Sequence, residues 1–184
     1  MNDFEWLVSR VGTFAVGRAT FGDVGDNAAG IVVEPTHISV AATRTNRVAA
    51  LIGWPTGRHH SLIKAAEARL ALDQGAAEVW VVVDKHADDT AILTDLIAVG
   101  QGIDDQAKFG VVVPDTSPHI AGLAQKAGAH RIAWHITGRD VALPPTTIDA
   151  VAFGELQGIE QTMALLEAGV SYVFATDTSA ATAS

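Results

Sequence analysis

The feature that most restricts the fold of this chain is an alternation along its length: apolar, β-branched runs recur, and segments with helical spacing separate them. The runs are AAGIVVEP (28–35), RVAALIGWP (47–55), EVWVVVD (78–84), KFGVVVPD (108–115), HRIAWHIT (130–137), IDAVAFGEL (148–156) and SYVFATD (171–177). Near-continuous Val, Ile and Ala stretches of this length suit parallel strands covered on both faces. Between them SLIKAAEARLALDQG (61–75), DTAILTDLIAVGQG (89–102), SPHIAGLAQKAG (117–128) and GIEQTMALLEAG (158–169) have helical spacing. Ser or Asp is available for their N-caps and glycine for their C-terminal ends. An internal echo supports a repeated βα unit, because Gly75, Gly128 and Gly169 each run from a helix end straight into a strand.

Alternating strands and helices permit a closed (β/α)₈ TIM barrel or an open doubly wound sheet. No G-x-G-x-x-G follows a strand and no G-x-x-x-x-G-K-[ST] is present, so the nucleotide-binding versions of the open sheet lose their usual support. The 184 residues fall below the ~200–250 common for barrels. An eighth strand has to come from GTFAVGRATF (12–21), and the barrel is expected to be short and open to being incomplete at its N-terminus.

With 48% hydrophobic residues, one domain over 1–184 can bury a substantial core. Acidic residues exceed basic ones by 21 to 12, a formal charge of −9, which disfavours nucleic acid and anionic membrane as partners. The absence of cysteine removes disulfides, thiolate metal sites and cysteine nucleophiles. The opening MNDFEWLVSR has acids where a signal peptide has basic residues, and no run approaches the ~20 apolar residues of a membrane span, so a cytoplasmic protein is expected.

The segment IGWPTGRHHSLIKAAEARLALDQGAAEVWVVVD (52–84) resembles the deoxyribose-phosphate aldolase family, in which a Gly-Phe-Pro-x-Gly turn precedes a helix rich in Lys, Glu and Ala that leads through Gly-Ala into a strand. Upstream, AGIVVEPTHISVA (29–41) is similar to the family's early strand ending in Val-Asn-Pro, and QKAGAHRIAWHITG (125–138) to its lysine-bearing strand. The likeness covers roughly 29–177, and the family's N-terminal Asp-His-Thr segment has no counterpart. It implies a TIM barrel that cleaves 2-deoxyribose 5-phosphate through a lysine Schiff base, without metal or other cofactor.

Carried over residue by residue, that chemistry lands on unsuitable side chains. The Schiff-base lysine falls on Ala133, its partner acid on Trp80 and the second active-site lysine near Val151. Schiff-base cleavage needs an amine activated by desolvation or a cationic neighbour, and alanine has none. The resemblance places the phosphate after the seventh and eighth strands, where this chain reads Gly154-Glu155 and Asp177, acids that would repel it. Alternation in EVWVVVD puts Val79, Val81 and Val83 under the helices and Trp80, Val82 and Asp84 inside. Trp80 then reads as a filler of the substrate space, balanced in volume by Ala133. Of the lysines, Lys64 and Lys126 fall on helices, Lys108 begins a strand, and only Lys85 stands at a strand's C-terminal end, where alternation turns it from the barrel axis.

Those strand ends collect Glu34, Arg58, His59, His60, Asp84, His86, Asp115, His135, Glu155 and Asp177. Glu34, Asp84, Lys85, Asp115, His135, Glu155 and Asp177 are the candidate pocket. Carboxylate and imidazole together could bind a divalent metal, for which Asp84, Asp115 and His135 are the candidates. His37, His119 and His130 read as surface or packing residues. Three classes of function stay open: a divergent paralogue without Schiff-base activity that binds a small metabolite or a protein partner, an active lyase on a small sugar phosphate, and a metal-dependent barrel enzyme. A homo-oligomer is compatible with each.

Overall fold

The computed structural model describes residues 2–18, 29–103, 107–139 and 142–182. Eight parallel strands close into one barrel in chain order: β1 (Val11–Phe14), β2 (Ile31–Val33), β3 (Val48–Ile52), β4 (Glu78–Val82), β5 (Lys108–Val113), β6 (Arg131–Ile136), β7 (Asp149–Gly154) and β8 (Tyr172–Ala175). The eighth strand does come from the 12–21 run, whose end at 19–21 lies outside the described residues. It pairs with β8 through Val11–Val173 and Gly12–Phe174, which closes the sheet and excludes the open alternative.

Around the barrel lie α1 (Asp3–Val8), α2 (Ile38–Ala42), α3 (Ser61–Asp73), α4 (Asp89–Ile103), α5 (Pro118–Lys126), α6 (Ile159–Glu167) and α7 (Thr178–Thr182). The four helices expected from spacing are α3 to α6, and α1, α2 and α7 are short additions. Their brevity explains why spacing does not reveal them, since fewer than two turns leave little periodicity to read. A capping box sets α1, with Asn2 accepting from the Glu5 amide and Glu5 from the Asn2 amide. The chain economises on covering helices: α2 has five residues, and no helix joins β6 to β7 among the described residues.

The strands are apolar on both faces because each face has its own core. Val79, Val81 and Val83 belong to the outer layer between barrel and helices. Trp80 and Val82 belong to the inner one, with Phe14, Leu51, Val112, Ala133, Val151, Phe153 and Phe174. In a closed barrel the register slips around the ring, so side chains at one height come from alternate strands. Tracing the pairing puts Val32, Trp80, Ala133 and Phe174 in one layer. Phe14, Leu51, Val112 and Phe153 lie above it, and Gly12, Ala49, Gly110 and Val151 below.

This stacking locates the space that Trp80 uses. A Cβ on Gly110 would stand 2.7 Å from Trp80 Cδ1, and one on Gly12 2.5 Å from Phe174 Cδ1, so both rings lean down into a layer kept small by glycine. The rings meet edge to face at 5.3 Å. Trp80 therefore fills the N-terminal half of the barrel rather than its C-terminal mouth. The closest small partner is Gly110, while Ala133 shares its layer across β5.

Candidate functional site

At the C-terminal end of the strands a cavity of about 450 Å³ opens, floored by Val82, Val112, Trp54 and His135. The turn after β3 supplies Trp54, Pro55, Thr56 and Arg58; the ends of β4 and β5 supply Asp84, Lys85, His86, Pro114 and Asp115; β6 supplies His135, with Thr137 just beyond it. Two ion pairs form its rim, Arg58 Nε to Asp84 Oδ2 at 3.0 Å and Lys85 Nζ to Asp115 Oδ2 at 2.6 Å. The His86 amide donates to Asp84, and with Arg58 it holds that carboxyl below the ordinary carboxylate range. Asp115 and Thr116 both lie in the left-handed region, at φ 52° and 47°. Such conformations cost non-glycine residues on the order of 1–3 kcal/mol each and cluster at functional loops.

His86 and His135 both line the cavity, and His135 packs among its aromatic side chains. It stacks on Phe153 at 5.0 Å with an interplanar angle of 14° and meets Trp54 edge-on at 5.1 Å. Burial pushes its pKa below the ordinary histidine value, against the opposing pull of Asp115, so the ring is neutral at pH 7. A neutral imidazole there can donate or accept a hydrogen bond, or act as a weak general base.

Four of the seven candidate pocket residues, Asp84, Lys85, Asp115 and His135, share this cavity; Glu34, Glu155 and Asp177 stand at other strand ends and do not line it. Glu34 accepts from the Gly17 amide at 2.9 Å. Asp177 caps α7, accepting from the Ser179 and Ala180 amides at 2.9 and 3.1 Å, and these bonds lower its pKa. Asp84, Asp115 and His135 line one cavity, and among the described residues no group of three or more His, Asp or Glu side chains is placed to hold an ion. Arg58 and Lys85 engage the two carboxylates, and His135 is packed between aromatic rings.

Sequence reasoning missed Trp54, Thr56 and Thr137, although Trp54 holds the aromatic place in the Gly-Phe-Pro-x-Gly turn. It also missed that Lys64 is fully buried. That side chain runs beneath Gly53, where a Cβ would stand 2.9 Å from Lys64 Cε, and its Nζ meets Val82 O at 2.7 Å and Asp95 Oδ2 at 2.5 Å.

A second cavity, about 280 Å³, lies at the N-terminal end against Trp80, Tyr172 and Arg131. Arg131 is 5% exposed and bridges Glu78 at 2.6 Å and Asp149 at 2.5 Å. TIM barrels place chemistry at the opposite end, and a closed network of this kind belongs to stability.

No family model matches the chain. A deoxyribose-phosphate aldolase of Nocardia farcinica is 38% identical over 109 residues, 54% of this chain and 49% of that protein. One from Mycolicibacterium paratuberculosis is 29% identical over 168 residues, covering 77% of this chain and 75% of its own length. This chain is a homologue of the deoxyribose-phosphate aldolases. Its alignment to the Nocardia aldolase spans about half of that protein's length, and that to an aldolase of Corynebacterium jeikeium about a third. The tetrameric deoxyribose-phosphate aldolase of Aeropyrum pernix superposes with a TM-score of 0.82 at 20% identity, over 99% of this chain and 92% of its own. A putative family member from Coccidioides immitis gives 0.76 at 19% identity, over 92% and 83%. At such identities the structures establish the (β/α)₈ barrel as the shared fold.

Proposed function

We propose that this aldolase homologue carries out no Schiff-base chemistry and binds a small, unphosphorylated polar metabolite in the C-terminal cavity. One observation carries the reading: no lysine amine reaches the barrel interior. Lys64 Nζ is buried outside the barrel against Asp95, Lys85 is paired with Asp115 on the rim, Lys108 begins β5 at the opposite end, and Lys126 ends α5. Ala133, where the resemblance sets the lysine, is fully buried, and the layer above it is sealed by Phe14, Leu51, Val112 and Phe153, each at most 7% exposed.

The anion site of the family gives further support. Amides that could meet a phosphate after β8 are already taken by the Asp177 carboxylate, and a second negative group there would be repelled. The cavity itself offers polar recognition through Thr56, Thr137 and neutral His135 against the apolar floor of Trp54, Val82 and Val112.

The reading is tested by incubating the protein with 2-deoxyribose 5-phosphate or acetaldehyde, reducing with borohydride and weighing the intact chain. No adduct is expected. A reduced adduct, for instance on Lys85, restores the active lyase. In parallel, small aldehydes, sugars and polyols titrated into labelled protein should shift the His135 ring resonances before any others.

A further inference from the structure

The cavity at the N-terminal end of the barrel joins an aromatic floor to a cationic rim. Trp80 and Phe174 are buried beneath it and Tyr172 is partly buried beside them. Arg47 and Lys108 stand exposed at its edge, with Arg131 deeper in the wall. The acid in the lining, Glu78, is fully engaged: Oε1 accepts from Arg131, and Oε2 from Arg131 and from Trp80 Nε1. Even with Asp149, which grips Arg131 from outside the lining, cations here exceed acids by three to two. The whole chain has the opposite bias, 21 acids to 12 bases. Lys108 acts on the Asp149 carboxyl through its charge but forms no ion pair among the described residues. We propose that this cavity binds a small aromatic carboxylate, as a second site at the end of the barrel opposite the C-terminal cavity.

Each part of such a ligand meets its complement. Trp80 and Phe174 pack edge to face at 5.3 Å, and a third ring laid against them extends the cluster with the contacts that aromatic pairs favour. Arg10 lies over the Tyr172 ring at 5.6 Å and holds that wall in place. Ala29, Ala49 and Ala77 keep the remaining wall small and apolar. The carboxylate reaches the rim, where the Arg47 guanidinium and the Lys108 ammonium both match it. Size narrows the class further. The volume, about 280 Å³, lies just below the ~300–1,000 Å³ of sites for drug-sized ligands. It suits one ring or two fused rings with a carboxylate and leaves no room for a nucleotide. Trp80 thereby gains a role besides filling, since its indole, tied to Glu78, is the floor on which the ring rests.

The test is calorimetric titration of the full chain with benzoate and indole-3-carboxylate, beside cyclohexanecarboxylate, which lacks the aromatic ring, and benzyl alcohol, which lacks the charge. The aromatic acids should bind about tenfold or more tightly than either control. In labelled protein they should move the Trp80 indole N–H resonance and leave the His135 ring resonances in place. Lys108→Glu should weaken binding about tenfold. Ala77→Phe, which fills the cavity from its exposed edge, should abolish it, with unfolding midpoints checking that both variants fold. No binding to the wild type, equal affinity for cyclohexanecarboxylate, or binding untouched by both variants would each overturn the proposal. A shift at His135 in place of Trp80 would assign the acids to the C-terminal cavity and overturn it as well.

Discussion

Replacing Ala133 by lysine tests whether the barrel interior still has room for the family's nucleophile. The new side chain would start in the layer of Val32, Trp80 and Phe174 and rise into that of Phe14, Leu51, Val112 and Phe153. Inserting methylenes into such packing costs typically 1–3 kcal/mol. An ammonium there has no acid partner, because position 80 is tryptophan, and the amine must lose its proton to remain buried. Holding a lysine neutral at pH 7, against an ordinary pKa of about 10.4, costs on the order of 4–5 kcal/mol. The sum, roughly 5–8 kcal/mol, is comparable with the whole stability of a domain of this size.

Ala133→Met separates the two contributions, since it adds similar volume without charge and should lose only the 1–3 kcal/mol of overpacking. Adding Trp80→Asp to Ala133→Lys removes the indole and supplies a counter-charge at the same height. The double change should recover about 1–3 kcal/mol relative to the sum of the singles. Urea unfolding of all the variants, with m-values compared, is the assay. If Ala133→Lys is neutral, or the double equals the sum of its singles, Trp80 and Ala133 share no space and the layer argument fails.

Removing the buried guanidinium in Arg131→Met strands Glu78 and Asp149 and should cost about 3–5 kcal/mol by the same unfolding assay. Lys64→Met should cost a similar amount by leaving Asp95 uncompensated, whereas Lys64→Met/Asp95→Leu should return near wild-type stability. Burial raises the Asp149 pKa, but hydrogen bonds from Ser171 and Arg131, with the charge of Lys108, outweigh it and hold the carboxyl below its ordinary value. Its stabilisation is therefore full above about pH 4 and lost as pH falls through the folded value. Asp149→Asn should flatten that acid limb. For His135 the unfolded chain binds the proton more readily, so stability declines as pH drops below about 6.5, and His135→Phe should remove that decline in melting-temperature scans.

The barrel was legible in the sequence because a parallel sheet covered on both faces writes itself as unbroken apolar runs, and α3 to α6 because each is long enough to repeat its pattern. The short helices were not, and neither was the lack, among the described residues, of a helix between β6 and β7, which is an absence of pattern. In the candidate site, Asp84, Asp115 and His135 could be placed at strand ends by counting, but counting does not give pairing. Only three-dimensional contacts show that Arg58 and Lys85 occupy the carboxylates that a metal would need. The alternation also put Trp80 inside correctly without giving its height, which depends on how the register slips around the closed ring.

That height bears on a last prediction. Trp80 Nε1 donates to Glu78 Oε2 at 3.0 Å; Glu78 also accepts from Arg131, which grips Asp149, which in turn accepts from the Ser171 hydroxyl. The side chain standing where the resemblance sets an acid is thereby joined to the polar network at the N-terminal end of the barrel. Trp80→Asp alone should then cost more than the 3–5 kcal/mol of a large aromatic deletion. It leaves Glu78 without its indole donor and sets a second carboxylate beside it, while Arg131 already serves two. Glu78→Gln introduced into that variant removes the like charge and gives the new carboxylate an amide donor. It should restore about 0.5–3 kcal/mol in urea unfolding, the range of coupling between contacting residues. In the wild-type background the same change weakens the bond to Arg131 and should destabilise. If Glu78→Gln is destabilising by the same amount in both backgrounds, position 80 is not coupled to the network, and its tryptophan has to be explained by interior packing alone.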